Sequence, residues 1–128
     1  MVRDLRLEKN DCDDIGFVKA CLVAGVIDFE EFKKWIYHVI ENQNEVPSYF
    51  WDILDLKNKF DFKPISIMGF IPYWEHDEGE GNALDGIGYR RKTDFSSDVV
   101  SREQATKSLE KNMHIEQRFR DTFPFIDL

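Results

Sequence analysis

The chain has 128 residues and a formal net charge of −8, with 42% of its side chains hydrophobic and 14% aromatic. That size and content suit one folded domain with its own core, and exclude both a disordered tail and a mini-scaffold dependent on disulfides or metal. No run of about 18 apolar residues is present, which excludes a spanning helix, and the acidic balance disfavours direct binding to a phosphate backbone.

The opening MVRDLRLEKNDCDD turns acidic where a signal peptide would turn apolar, so a cytoplasmic location is expected. Residues 1–10 mix leucine and charge without a clear period, as a frayed leader or a short strand would. A helix is predicted over 13–24. Asp13 and Asp14 suit its N-terminus, Ile15, Phe17, Val18, Cys21 and Leu22 form its buried face, and Gly25 fits the left-handed position past its end. The next helix, over 28–43, is the best marked. Asp28 and Glu31 have capping-box spacing, and Phe29, Phe32, Ile36, Val39 and Ile40 make an apolar stripe that Trp35 widens. Glu30, Lys33, Lys34, His38 and Glu41 form the opposite, solvated face. Pro47 opens a third helix, predicted over 47–57, with Phe50, Trp51, Ile53, Leu54 and Leu56 as its apolar face.

In FDFKPISIMGFIPYW, two prolines (Pro64 and Pro72) bracket a run that is apolar at nearly every position. A short core helix from Pro64 is expected, with a short strand or 3-10 segment around 65–71 as the alternatives. EHDEGEG, residues 75–81, is expected to be an exposed acidic loop. A helix over 81–91 follows from Ala83, Leu84 and Ile87, with Arg90, Arg91 and Lys92 at its end; Gly86 and Gly88 each weaken it by about 1 kcal/mol relative to Ala. TDFSSDVV is expected to be a linker. Ser101 and Gln104 have capping-box spacing at the head of a helix over 101–112, with Ala105 and Leu109 inward. A last helix over 114–123 carries Ile115, Phe119 and Phe123 and is stopped by Pro124. The fold class is mostly α: a small helical bundle, read as a single domain over 1–128.

Chemistry is sparsely signalled. His38, His76 and His114 are scattered without ligand spacing, neither Cys12 nor Cys21 lies in a CxxC, and the acids of HDEGEGNALDG, residues 76–86, miss the positions of a calcium loop, so no metal or cofactor is expected. The cysteines suit one surface and one buried thiol in a reducing cytosol, a local disulfide being the alternative. His76 beside Glu75, Asp77 and Glu78 could supply a general base. Adjacent side chains usually point apart, however, and no nucleophile elbow, phosphate-binding glycine loop or oxyanion hole accompanies them. Enzyme activity is therefore not expected. Surface recognition remains. Tyr73 and Trp74 precede the acids Glu75, Asp77, Glu78 and Glu80, an aromatic-plus-acid combination suited to a protein partner, although Trp74 could equally cap the core beside Pro72. Glu41, Glu45, Asp52 and Asp55, on the second and third helices, form a rival patch.

The segments AGVID, FEEFKKWIYHVIENQNEVPSYFWDILDL, MGFIPYW and HIEQRFRDTFPF occur in an order that resembles small bacterial immunity proteins of polymorphic or contact-dependent growth-inhibition toxin systems. They span about half the chain and are scaffold patterns, so no functional residue is carried over. The resemblance implies a cytosolic protein that binds the C-terminal domain of one cognate toxin and occludes its active site or substrate groove. Many such toxins are nucleases with basic channels, and an acidic inhibitor suits that partner. An acidic helical adaptor or regulatory subunit with a different basic partner is the alternative.

Overall fold

The structure, a computed structural model, describes residues 4–128. Among them are seven α-helices: α1 (Asp13–Val23), α2 (Phe29–Asn42), α3 (Tyr49–Leu54), α4 (Pro64–Met68), α5 (Glu78–Arg91), α6 (Arg102–Lys111) and α7 (Met113–Thr122). A 3-10 turn covers Lys59–Asp61, and an isolated bridge between Glu8 and Asp11 is the nearest approach to a strand in the described residues. The fold is mostly α, as the periodicities predict. The chain forms two compact units, one containing residues up to Ala20 together with Asp28–Trp74, the other Cys21–Ile27 together with Glu75–Leu128.

In the first unit, α2 begins at the predicted cap. The Asp28 side chain accepts from the Glu31 amide at 2.8 Å and the Glu31 carboxylate accepts from the Asp28 amide at 2.9 Å. Phe32, Trp35, Ile36 and Val39 are buried along one stripe, and the Trp35 ring lies 5.7 Å from that of Phe50 on α3. The third helix is shorter than the predicted 47–57. In its six residues Phe50 and Ile53, three apart, point inward together with Tyr49. Trp51, about 100° around the helix from Phe50, is 54% exposed, which corrects its assignment to the apolar face.

The segment before α1 is tied down over its described part; residues 1–3 of the expected leader lie outside the described residues. Leu7 is buried, its carbonyl accepts from the Tyr49 hydroxyl at 2.6 Å, and the Arg6 amide donates to the Asp14 carboxylate at 2.7 Å. These bonds account for an order that composition alone did not signal.

A short helix forms from Pro64, with Gly69 at φ 83 closing it in the left-handed conformation. The core position expected for the 65–71 run is not found: Ile65 and Ile71 are each 60% exposed. A one-turn helix and a short extended piece can turn only one side inward. The inward contacts come from half-buried Phe62, 5.2 Å from Phe32, and Phe70, 6.2 Å from Tyr49. Beyond Ile71 the exposure alternates, Pro72 and Trp74 facing in and Tyr73 facing out, as an extended chain requires. Trp74 meets Phe17 edge-on at 5.0 Å. The same stretch runs so close to α1 that a Cβ on Gly16 would lie 2.3 Å from the Tyr73 carbonyl carbon.

In the second unit α5 starts at Glu78, so the expected loop over 75–81 is in large part a helix start. Asp77 is the cap: it accepts from the Glu80 amide at 2.8 Å, and Glu80 accepts from the Asp77 amide at 3.0 Å. The D-x-x-E spacing that marks α2 is repeated here, and the neighbouring glycines hid it. Those further along α5 have packing roles. A Cβ on Gly86 would lie 2.6 Å from the Ala105 carbonyl oxygen of α6, and one on Gly88 would lie 2.5 Å from the Phe95 ring.

Residues 93–100 are more than a linker. Phe95 stacks edge-on against Tyr89 at 4.9 Å, and the Tyr89 hydroxyl accepts from the Ser97 amide at 3.1 Å and donates to the Val100 carbonyl at 2.9 Å. Ser101 caps α6 by accepting from the Gln104 amide at 3.2 Å, but the return half of that box is not made. On α7, Ile115 and Phe119 are buried, followed by Phe123 at its C-cap. The Arg91 guanidinium donates to the Val26 carbonyl and lies over the Phe119 ring at 5.8 Å. Both cysteines are free, Cys12 half-buried and Cys21 fully buried; burial pushes the Cys21 thiol far above its ordinary range. Iodoacetamide is accordingly expected to label Cys12 alone in the folded protein, read by peptide mass spectrometry.

Candidate partner-binding surfaces

The aromatic pair and the acids expected to act beside it have separate structural duties. Tyr73 is 63% exposed in the first unit, but Trp74 is 4% exposed and belongs to the core, which removes it from the expected contact set. Glu75, Asp77, Glu78 and Glu80 belong to the second unit. Glu75 and Glu78 are exposed, whereas Asp77 and Glu80 are committed to the α5 cap. Glu80 also meets the His114 imidazole at 2.7 Å. The His114 hydrogen bond, followed by the Asp77 amide, holds the Glu80 carboxyl below the ordinary carboxylate range.

Two consequences follow for α5. Asp77→Ala should lower stability by about 1 kcal/mol, the usual loss for a missing cap, measured from denaturant midpoints. Because the folded-state value of Glu80 is depressed, its contribution is present above the unfolded carboxylate pKa and is lost as pH falls through the folded one. Glu80→Gln should therefore flatten the acid limb of a pH–Tm profile.

The helix-borne acids are different. Glu41, Glu45, Asp52 and Asp55 are all exposed in the first unit. On α3 the outer face carries Trp51 with Asp52 beside it and Asp55, just past the helix end, one turn further on. An exposed indole accompanied by two exposed carboxylates presents a large apolar surface together with negative charge, a composition suited to a protein-binding hot spot for a basic partner. Sequence reasoning assigned Trp51 inward, yet the polar positions 52 and 55 mark the solvent side of any helix there, and Trp51 lies with them.

Among the described residues no group of three or more His, Cys, Asp or Glu side chains is placed to hold a metal ion. His38 lies 3.3 Å from the Asn42 amide, and His114 is paired as above. No described helix is long and apolar enough to cross a membrane. The chain matches no protein-family model, and searches of curated proteins and of solved structures return no significant match.

Proposed function

We propose that the protein acts by binding and masking a basic protein domain, as a bacterial immunity protein masks the toxin, typically a nuclease, encoded beside it. The observation that carries this reading is the outer face of α3, where Trp51 is 54% exposed and Asp52 and Asp55 are exposed with it, on a chain of net charge −8. A partner that covers the exposed indole recovers its apolar contribution on desolvation. The acidic surface steers a basic domain into encounter, and Glu41 and Glu45 on and just beyond α2 add to the same sign of field. In this role the protein works in the cytosol, where Cys12 and Cys21 remain thiols.

Capture of a stoichiometric partner from cells that carry the neighbouring genes tests the proposal. A partner that is basic and arrests growth when expressed alone supports it; a harmless basic partner favours an adaptor instead. Trp51→Ala is expected to weaken the complex by about 30-fold or more, in line with about 2 kcal/mol for a hot-spot aromatic, while the melt of the free protein stays near wild type. Unchanged affinity would move the interface off α3. Glu75→Gln with Glu78→Gln, at positions outside the α5 capping box, then reports whether the second unit contributes. The titration is run at two salt concentrations, because rim charges act mainly through a screened, salt-dependent term.

A further inference from the structure

We infer that the stretch from Trp51 to Ile65, on the outside of α3 and the start of α4, is the contact face of a weak two-fold dimer, its occupant a second copy of this chain. The inference stands apart from the partner reading above; a second copy and that partner would compete for Trp51. The whole stretch lies in the first unit. Three of its large apolar side chains face solvent: Trp51 is 54% exposed, Phe60 79% and Ile65 60%. Among them stand six charged side chains, all exposed: Asp52, Asp55 and Asp61 against Lys57, Lys59 and Lys63. The stretch is therefore neutral, and the net charge of −8 lies wholly in the rest of the chain. Two copies repel one another wherever their acidic surfaces meet, and least where the surface is neutral.

The order of the charges makes the stretch complementary to itself. Asp52 and Asp55 come first, on α3 and just past it, and Lys57, Lys59 and Lys63 follow. A two-fold axis reverses one copy against the other, so the acidic end of each meets the lysine end of its mate. Among the described residues, Asp52, Asp55, Lys57 and Lys63 make no ion pair within the chain, and Lys59 lies over the Phe60 ring at 5.6 Å. Pairing across the axis therefore breaks no salt bridge. Exposed ion pairs add little affinity, so the charges set the register while burial of Trp51, Phe60 and Ile65 supplies the attraction. A nucleic acid or an anionic bilayer would meet the three carboxylates here instead.

The face is also held in shape. Helices α3 and α4 are in contact, and the rings on either side of α4 turn inward, Phe62 to Phe32 at 5.2 Å and Phe70 to Tyr49 at 6.2 Å. Asn58 caps the 3-10 turn by accepting from the Phe60 amide at 3.0 Å. Phe60 and Ile65 project from a backbone pinned in this way, so little ordering is lost on contact. The stretch is shorter than the roughly 20–30 residues a side of a stable interface, which makes the dimer a weak one.

The test is sedimentation equilibrium of the full chain alone at physiological salt, from about 10 µM to about 1 mM, where a weak dimer forms. The weight-average mass is expected to rise from that of one chain toward that of two. Trp51→Ser with Phe60→Ser is expected to weaken the dimer about tenfold or more, while the melt at low concentration stays near wild type. Asp52→Lys with Asp55→Lys gives a copy whose mate presents like charge, and so does Lys59→Glu with Lys63→Glu. Each of these variants is expected to stay monomeric. Mixed in equal amounts they are expected to associate again, a recovery that loss of structure cannot produce. A wild-type chain that stays monomeric throughout overturns the inference, as does a dimer that keeps its affinity in every variant. Reversals whose mixture does not recover overturn the pairing of acids with lysines across a two-fold axis. The basic-partner reading is decided separately, by capture of the partner.

Discussion

Replacing Trp35 by alanine is expected to lower the stability of the protein by about 3–5 kcal/mol, the range found when a large buried aromatic is truncated. The indole is 2% exposed on the inward stripe of α2, between Phe32 and Val39, and faces the Phe50 ring at 5.7 Å and 51°. Removing it loses the transfer free energy of the ring and leaves a void that a well-packed interior closes only in part. Trp35→Phe keeps most of the volume and should cost less. Denaturant midpoints at constant m-value give the comparison directly; a Trp35→Ala midpoint near wild type would mean that the ring is not in the core.

A second large effect is expected at Gly86. On an open helix, glycine to alanine gains up to about 1 kcal/mol. At Gly86 the new Cβ would lie 2.6 Å from the carbonyl oxygen of Ala105 and 3.1 Å from the Leu109 Cβ. The oxygen is backbone and cannot swing aside, so α5 and α6 must separate, losing contacts along their length. Overpacking of this kind costs about 1–3 kcal/mol, and Gly86→Val should cost more than Gly86→Ala. Gly79→Ala is the control, on the same helix but with its nearest neighbours at 3.4 Å. That substitution should be neutral or stabilising. Opposite signs for two identical substitutions in one helix are the expected outcome, and a stabilising Gly86→Ala would show that the two helices do not approach this closely.

Wherever an element carries a long apolar stripe and a cap, as α2 does with Asp28, Glu31 and the Phe32-to-Val39 face, local physics and tertiary packing agree, and the element is legible from the sequence. The boundaries of α1, α6 and α7 also fall within one residue of those predicted, although α7 has no side-chain cap and α6 buries only Ala105 and Leu109. Legibility fails where several states satisfy the same letters. ISIMGFI is apolar at nearly every position, so its composition predicts burial; a helix of one turn has too little inward area, and Ile65 and Ile71 are left outside. EHDEGEG looks like a solvated loop because two glycines and four acids dominate it. Three residues of spacing, Asp77 to Glu80, decide for a helix start. The candidate site divides in the same way. The helix-borne acids keep the exposure that their positions predict, whereas Trp74 is taken by Phe17 and Glu80 by the α5 cap and His114. Gly86 and Gly88 were the least legible of all, since a glycine's use lies in what approaches it.

The division of the chain bears on how such a protein can diversify. Cys21–Ile27 belongs to one unit, while the residues on either side, up to Ala20 and from Asp28, belong to the other. The inserted piece is structural, for the Val26 carbonyl takes the Arg91 guanidinium. A recombination event with a single crossover near codon 75 would import a new C-terminal unit and leave it with the old 21–27 segment, whose partners it did not evolve beside. Both units are thus inherited as one block. On the binding role proposed above, changes of specificity on the exposed α3 face can instead accumulate codon by codon, at positions such as 51, 52 and 55 where the core does not object.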